Sequence, residues 1–278
     1  MSRRSGRVLP RTREDLLAPS EPDQEGLVTP ARWNAKEWIT ALRPLNLDLP
    51  PVGVKFFSRP PEDMQRLDGT LRLCQMLRRA QNGHAFYATP ENHACGGGLY
   101  IMGKPLPHVF TTGEYVAGIQ VCEDFKAGRR IYDSLPRLDA DSTIDYVAFA
   151  PLDAISFSPD LLILLGNPDQ TEVLLRAYSY STGKLWMSRC TPVIGCAWTY
   201  MYPYITGDLN FVVTGLSMGM KAAKLYPQGL QLITIPSDLF PLFIQSLKNM
   251  PSVLPLLQPG ADEFRSKLLV SLGLDPSH

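Results

Sequence analysis

The sequence lacks any long apolar run. Its most apolar stretch, residues 161–165, is far shorter than the roughly 20 residues that cross a bilayer. The basic start of the chain, residues 1–7, continues into Thr12-Arg-Glu-Asp without the apolar segment of a secretion signal. We therefore expect a soluble, cytoplasmic protein that does not bind membranes.

An excess of charge of one sign is also missing. Lys and Arg total 27, as do Asp and Glu, so the net charge at pH 7 is zero. No basic block is present that would neutralise phosphates along a nucleic acid. This composition argues against nucleic acid as a partner.

Cysteine is scarce, and the Cys-x-x-Cys pair that marks most zinc ribbons and ferredoxin sites is absent. Five cysteines, without an export signal, argue for a reducing compartment and against a disulfide framework. Four of the cysteines lie in distinctive sequence contexts. Cys74 lies in a predicted helix, Cys95 precedes three glycines, and Cys190 and Cys196 flank a Pro-containing loop. These positions are typical of metal ligands or reactive thiols.

With 278 residues, 45% of them hydrophobic, the chain can bury a full core. We predict an α/β or α+β fold, a single mixed-sheet domain flanked by helices. The predicted organisation is a flexible N-terminal arm (1–32), the main domain (33–250), and a C-terminal helix and tail (251–278). Periodicity and capping residues predict helices over 33–43, 71–80, 123–135, 167–175 and 237–247, and strands over 52–57, 85–89, 146–152, 161–165, 211–214 and 230–236.

One predicted strand passes directly into a helix, with Asn167 as the cap and Pro168 in the first turn. The carboxyl end of a buried strand is a common ligand site in open α/β sheets. We therefore predict that Gly166, Asn167 and Asp169 contact a substrate, although a well-capped packing helix explains the same residues.

Gly96, Gly97 and Gly98 predict a tight turn with positive φ, whose backbone could approach a cofactor closely. A plain turn is the alternative. Trp198 and Tyr202 belong to an aromatic run beside Cys196 that could wall a substrate pocket, although core packing explains such residues as well.

The order of several motifs resembles the domain of unknown function 169 family of bacteria and archaea, over residues 47–247. The motifs include Cys74-Gln-Met-Leu-Arg-Arg-Ala, Cys95-Gly-Gly-Gly-Leu, Pro159-Asp-Leu-Leu-Ile-Leu-Leu-Gly-Asn-Pro and Cys196 before Pro203-Tyr-Ile-Thr-Gly. The resemblance implies a metal or an iron–sulfur cluster on the shared cysteines, here Cys74, Cys95 and Cys196. The Gly-x-Arg segment of the family is missing, because Gly215-Leu-Ser-Met-Gly-Met-Lys has no arginine.

Three thiolates from a helix, a glycine turn and a distant loop suit a soft metal or a 4Fe-4S cluster, with Cys190 or Cys122 as a fourth ligand. The first hypothesis is a redox enzyme or electron-transfer component that acts on a small molecule and meets a redox partner protein. It predicts that the sulfurs converge.

The second hypothesis is a metal-free small-molecule-binding or accessory protein, with sulfurs dispersed in the core and a pocket elsewhere. A reactive thiol is a further alternative, in which His93 lowers the pKa of Cys95. The histidines at 84, 93 and 108 form no i, i+4 pair typical of a helical zinc site.

Overall fold

The computed structural model describes residues 33–139, 142 and 144–275, and the predicted N-terminal arm lies outside these residues. The strands are β1 (Val52–Phe57), β2 (Phe86–Ala88), β3 (Tyr146–Pro151), β4 (Leu161–Gly166), β5 (Asn210–Val213) and β6 (Gln231–Pro236). The helices are α1 (Ala35–Leu42), α2 (Leu73–Gln81), α3 (Gly96–Ile101), α4 (His108–Thr111), α5 (Glu114–Gly118), α6 (Phe125–Asp133), α7 (Pro168–Tyr180), α8 (Tyr202–Thr206), α9 (Met218–Ala223), α10 (Phe240–Asn249) and α11 (Ala261–Ser271).

The strands form one six-stranded sheet in the order β2-β3-β1-β4-β6-β5, and every pairing between these strands is antiparallel. An isolated parallel bridge joins Arg66 to Tyr87 of β2. Helices flank the sheet, so the α+β prediction is confirmed.

Strand β4 lies in the middle of the sheet and is buried along its whole length. Successive side chains of a strand point to opposite faces, and here Leu161 and Ile163 pack in one hydrophobic cluster while Leu162 and Leu164 pack in another. The first cluster contains α2, and the second contains α1, α7 and α10. The continuous apolar run therefore reflects burial on both faces, as predicted.

Capping side chains fix the starts of three helices, and the cap at Asn167 is as predicted. Asn34 accepts hydrogen bonds from two backbone N–H groups of α1, and Asp124 accepts one from Ala127 in α6. At α7, the side-chain oxygen Oδ1 of Asn167 accepts from Gln170 N, while Gln170 Oε1 accepts from Asn167 N. Such caps satisfy backbone donors that a helix start leaves without partners.

The three-glycine segment differs from the prediction. Gly96, Gly97 and Gly98 form the first turn of α3, Cys95 is its N-cap, and none of the three has a positive φ. The glycines instead allow close packing: a Cβ on Gly97 would lie 3.3 Å from Cys196 Sγ. A Cβ on Gly98 would overlap the His93 ring.

No helix among the described residues is long and apolar enough to cross a membrane.

Helix α6 approaches the start of α5 closely at Gly128. A Cβ on Gly128 of α6 would lie 2.6 Å from Gly113 O and 2.5 Å from Val116 Cγ2, whereas a Cβ on Gly118 of α5 would have nothing within 4 Å. We expect Gly128→Ala to lower the free energy of unfolding by about 1–3 kcal/mol through overpacking. Gly118→Ala is the matched control and should not destabilise the protein, because alanine favours helix. Urea unfolding measures both, and equal stability of the two variants would contradict the packing described.

Candidate thiol-lined site

A cavity of about 400 Å³ lies among α2, the start of α3, residues 190–196, β5 and α9. Four of the five cysteines line it: Cys74, Cys95, Cys190 and Cys196. None of the five forms a disulfide. The other lining residues are largely apolar and include Leu77, Phe110, Val193, Val212, Met218, Met220 and Leu232. The structure therefore brings all four predicted metal ligands to one place, and their role as ligands stays a prediction.

Each thiol is held by a different element. Cys74 is the second residue of α2, and Cys95 caps α3. Cys196 precedes a π-helical turn, Ala197–Met201, that leads into α8. Cys190 lies at the start of the loop, where its Sγ donates a hydrogen bond to Thr191 O at 3.4 Å. Because the cysteines come from distant parts of the chain, the cavity forms only when the domain folds.

The loop between Cys190 and Cys196 carries backbone strain. Ile194 has φ 52°, in the left-handed region that β-branched residues rarely adopt. The N–H of Met218 donates to Pro192 O at 2.8 Å and thereby ties the loop to α9. A Cβ on the neighbouring Gly195 would lie 2.7 Å from Ser217 Oγ, so this approach requires glycine. Strained backbone of this kind clusters at functional sites, and Ile194 itself lines the cavity.

Burial controls the ionisation of the thiols. It raises the pKa of Cys196 well above the usual value, and the nearby Cys95, Cys74 and Cys190 raise it further when they ionise. The pKa of Cys74 is raised by burial and then by Cys95, and the pKa of Cys190 is raised by burial. The mutual effects show that the sulfurs are close enough to feel one another's charge. At neutral pH these three thiols are protonated in the absence of a cation.

Tyr200 is a cavity residue that the sequence interpretation missed. Its side chain is 2% exposed, and its hydroxyl has no hydrogen-bond partner among the described residues. Burial raises its pKa well above the usual value, and Cys196 adds to this effect. A buried hydroxyl without a partner is costly in an apolar site and suggests a ligand that would bond to it. The π-helical turn, a feature frequent at functional sites, would have been the relevant signal, but the sequence does not reveal it.

Trp198 and Tyr202, predicted to contact a substrate, do not line the cavity. They pack in a third hydrophobic cluster, where Trp198 Nε1 donates to Thr191 Oγ1 at 2.9 Å and the Tyr202 hydroxyl donates to Asp208 at 3.3 Å. This placement matches the core-packing alternative.

Gly166, Asn167 and Asp169 also lie outside the cavity lining. The strand-turn-helix unit is present as predicted, but the Asn167 side chain is used in the capping box of α7. The packing-helix alternative therefore describes this junction, and a substrate contact there stays a prediction.

His93 does not supply the positive charge that an activated Cys95 would need. Its ring is 8% exposed and packs on Gly98, and neither ring nitrogen has a partner among the described residues. Burial lowers its pKa to about 4, so it is neutral at pH 7. A neutral His93 gives no support to the predicted assistance to Cys95, which stays a prediction. His84 and His108 are exposed.

Within the described part of the chain, no group of three or more His, Cys, Asp or Glu side chains is already arranged around a single metal ion. The four thiols share a cavity without meeting at one point.

An α+β domain with a deep thiol-lined cavity is the class that this fold and site define. The family model described as uncharacterised ArCR matches residues 43–246, so the chain belongs to the domain of unknown function 169 family. It is similar to an uncharacterised protein of the archaeon Methanocaldococcus jannaschii, MJ0308, with 29% identity over 196 residues, covering 66% of this chain and 82% of the relative. No solved structure matches the chain.

The raised pKa of Cys196 predicts slow alkylation. Iodoacetamide reacts with the thiolate, and a thiol whose pKa is raised by one unit holds about tenfold less thiolate near pH 8. We expect Cys196 in the folded, metal-free protein to react at least about tenfold more slowly than in the urea-unfolded chain. Its rate should continue to rise as the pH increases beyond 9, after the unfolded thiols have levelled off. Mass spectrometry of tryptic peptides measures both rates, and equal rates at pH 8 would show that the thiol is not shielded.

Proposed function

We propose that the protein is a redox enzyme or electron-transfer component that holds an iron–sulfur cluster in the thiol-lined cavity. The observation that carries the proposal is that Cys74, Cys95, Cys190 and Cys196 line one cavity, although they come from three separate parts of the sequence. Cysteines used only for packing have no reason to gather in this way.

The donor set fits such a group. Four thiolates are the usual ligands of a 4Fe-4S cluster, and soft sulfur ligands select soft metals. The thiols of Cys74, Cys190 and Cys196 resist ionisation because they are buried near one another. A bound cationic group would replace their protons and remove this repulsion, so binding should release protons and stabilise the fold.

The dimensions of the site favour a cluster over a single ion. The cavity is about 400 Å³ in volume, and no group of side chains among the described residues is arranged around one ion. A cluster is wider than an ion, so its ligands bind at its corners and do not need to meet at a point. The four thiols can therefore lie around such a group from different walls of the cavity.

The surroundings suit redox chemistry on a small molecule. Apolar side chains such as Val193, Val212 and Leu232 line the cavity and would limit the access of water to a bound group. A cluster held by all four thiols would pass electrons, whereas one held by three of them would leave one iron position at which a small molecule could bind. The Tyr200 hydroxyl can donate a hydrogen bond to a sulfur atom or to that molecule, and hydrogen bonds of this kind tune reduction potentials.

The test is anaerobic purification and reconstitution, followed by iron, sulfide, zinc and copper analysis and a visible spectrum. We expect wild type to hold iron and sulfide in fixed ratio to protein. Cys95→Ala and Cys196→Ala should lose them, because each removes a ligand. Cys122→Ala is the matched control: it removes the one cysteine that does not line the cavity, so it should keep the cluster.

A colourless wild type without iron after anaerobic reconstitution would contradict the proposal. Equal loss of iron from Cys122→Ala would also contradict it, because the loss would then not depend on the cavity thiols. Zinc or copper alone on the same thiols would keep a thiolate metal site but would exclude a cluster.

A second candidate, a metal-free protein that binds an apolar small molecule, is favoured by the apolar lining of the cavity. It predicts that metal-free wild type binds 1-anilinonaphthalene-8-sulfonate in the cavity. Met220→Trp, which narrows the cavity, should then weaken binding, and Met187→Trp, an exposed position away from the lining, should not.

A further inference from the structure

We infer that a second cavity, separate from the thiols, binds a small anionic molecule through Lys104 and Arg137. This cavity has a volume of about 520 Å³ and lies among the end of α3, the following loop, α4 and α6. None of the cysteines lines it. The inference therefore does not depend on a metal or cluster in the first cavity.

The charged groups that face this cavity are mainly basic. Its lining contains three cations, Lys104, Arg129 and Arg137, and two carboxylates, Asp133 and Asp139. It also contains His108, which is exposed. Arg129 forms an ion pair with Asp133 at 3.6 Å. Across the residues that the structure describes, no carboxylate lies within ion-pair distance of Lys104 or Arg137. Lys104 lies near Glu91, whose pKa is lowered by a hydrogen bond from Thr89 and, to a smaller extent, by this lysine. Neither Lys104 nor Arg137 forms an ion pair within the described residues, so both cations are available to an anionic ligand in the cavity.

The guanidinium of Arg137 is held in place before any ligand arrives. One of its nitrogens donates to Tyr132 O at 3.0 Å, which fixes the side chain against the wall of the cavity. The remaining N–H groups of a guanidinium form a planar fork that matches the oxygens of a carboxylate or phosphate. A donor that is already oriented loses less entropy when it binds.

The walls also carry two buried tyrosine hydroxyls. That of Tyr132 has no hydrogen-bond partner within the described residues. Burial raises the pKa of Tyr100, while the charge of Arg137 and a hydrogen bond with its guanidinium oppose this effect, which places the Tyr100 hydroxyl against the guanidinium. A phenol hydroxyl beside a guanidinium can donate to the same anionic oxygen.

Two threonine hydroxyls at the end of α4 are not available to donate to a ligand, so the cations of the cavity are its main anchors. Thr111 Oγ1 donates to His108 O and Thr112 Oγ1 donates to Val109 O, so their protons are already used. The shared chemistry of the ligand is therefore an oxyanion, either a carboxylate or a phosphoryl group, small enough for a cavity of about 520 Å³.

The test uses isothermal titration calorimetry of the full chain with two probes, pyrophosphate and citrate. We expect saturable binding of at least one probe. Lys104→Met and Arg137→Met should each weaken it at least about tenfold, the loss typical of one charge-assisted contact. Arg130→Met is the matched control, because Arg130 is an exposed cation of α6 that does not line the cavity. Binding to this variant should equal binding to wild type.

The probe that binds identifies the class: pyrophosphate alone indicates a phosphoryl ligand, and citrate alone indicates a carboxylate. Binding of both that depends on Lys104 and Arg137 supports a general oxyanion site. No saturable binding of either probe at low salt would overturn the inference. Equal weakening in Arg130→Met would also overturn it, since binding would then follow overall charge. Thermal unfolding of each variant shows whether it is folded, and Lys104→Gln provides a milder second variant.

Discussion

The close contact between the backbone of α3 and the sulfur of Cys196 is the constraint on which the thiol-lined site depends. Gly97 leaves so little room that a Cβ would lie 3.3 Å from the Cys196 Sγ. A Cβ there would require Cys196 to give way by a few tenths of an ångström, and bulkier side chains would require more. The glycines therefore act through close packing and not through unusual φ values. Because Cys95 caps the same helix, one contact sets the positions of two thiols.

Desolvation determines how readily the thiols of this site ionise. A thiolate in an apolar cavity loses the hydration that stabilises its charge, and a second thiolate nearby adds repulsion. The raised pKa of Cys196 reflects both effects. Folding can keep such thiols neutral, or it can bring them together so that a cation compensates their charge. Two features at the same place lower the stability of the fold: the left-handed backbone of Ile194 and the Tyr200 hydroxyl, which has no partner among the described residues. Such costs are expected at a site selected for binding and not in a core selected for stability.

The sequence predicts those parts of the fold that local rules control. Asn167 begins a helix as predicted because its short polar side chain satisfies a backbone donor, and the apolar run of β4 is buried on both faces, as its lack of alternation indicates. Sequence context and the family resemblance predict Cys74, Cys95, Cys190 and Cys196 as site residues, and these four line one cavity. Local rules fail where tertiary contacts decide. Three glycines are compatible with a turn or with a tightly packed helix, and only the neighbours at Cys196 and His93 distinguish the two.

The aromatic run after Cys196 shows a second limit. Trp198 and Tyr202 are four positions apart and share one face of this helical segment, whereas Tyr200, four positions after Cys196, packs in the cluster that contacts the thiols. A period of 2 would instead place Trp198, Tyr200 and Tyr202 on one face, and the sequence alone does not decide between the two periods. The cations of the second cavity are equally invisible, since Lys104 and Arg137 are 33 positions apart (137 minus 104) and belong to no motif.

Tyr132 connects the two cavities physically, since it contributes to the lining of both. Its position depends on α6, which meets α5 through the backbone contact of Gly128 with Gly113. The carbonyl of Tyr132 also accepts the hydrogen bond that orients Arg137. A shift of α6 would thus change the wall of the thiol cavity and the orientation of the guanidinium together. The two cavities therefore share a wall residue, and the geometry of both depends on the position of α6.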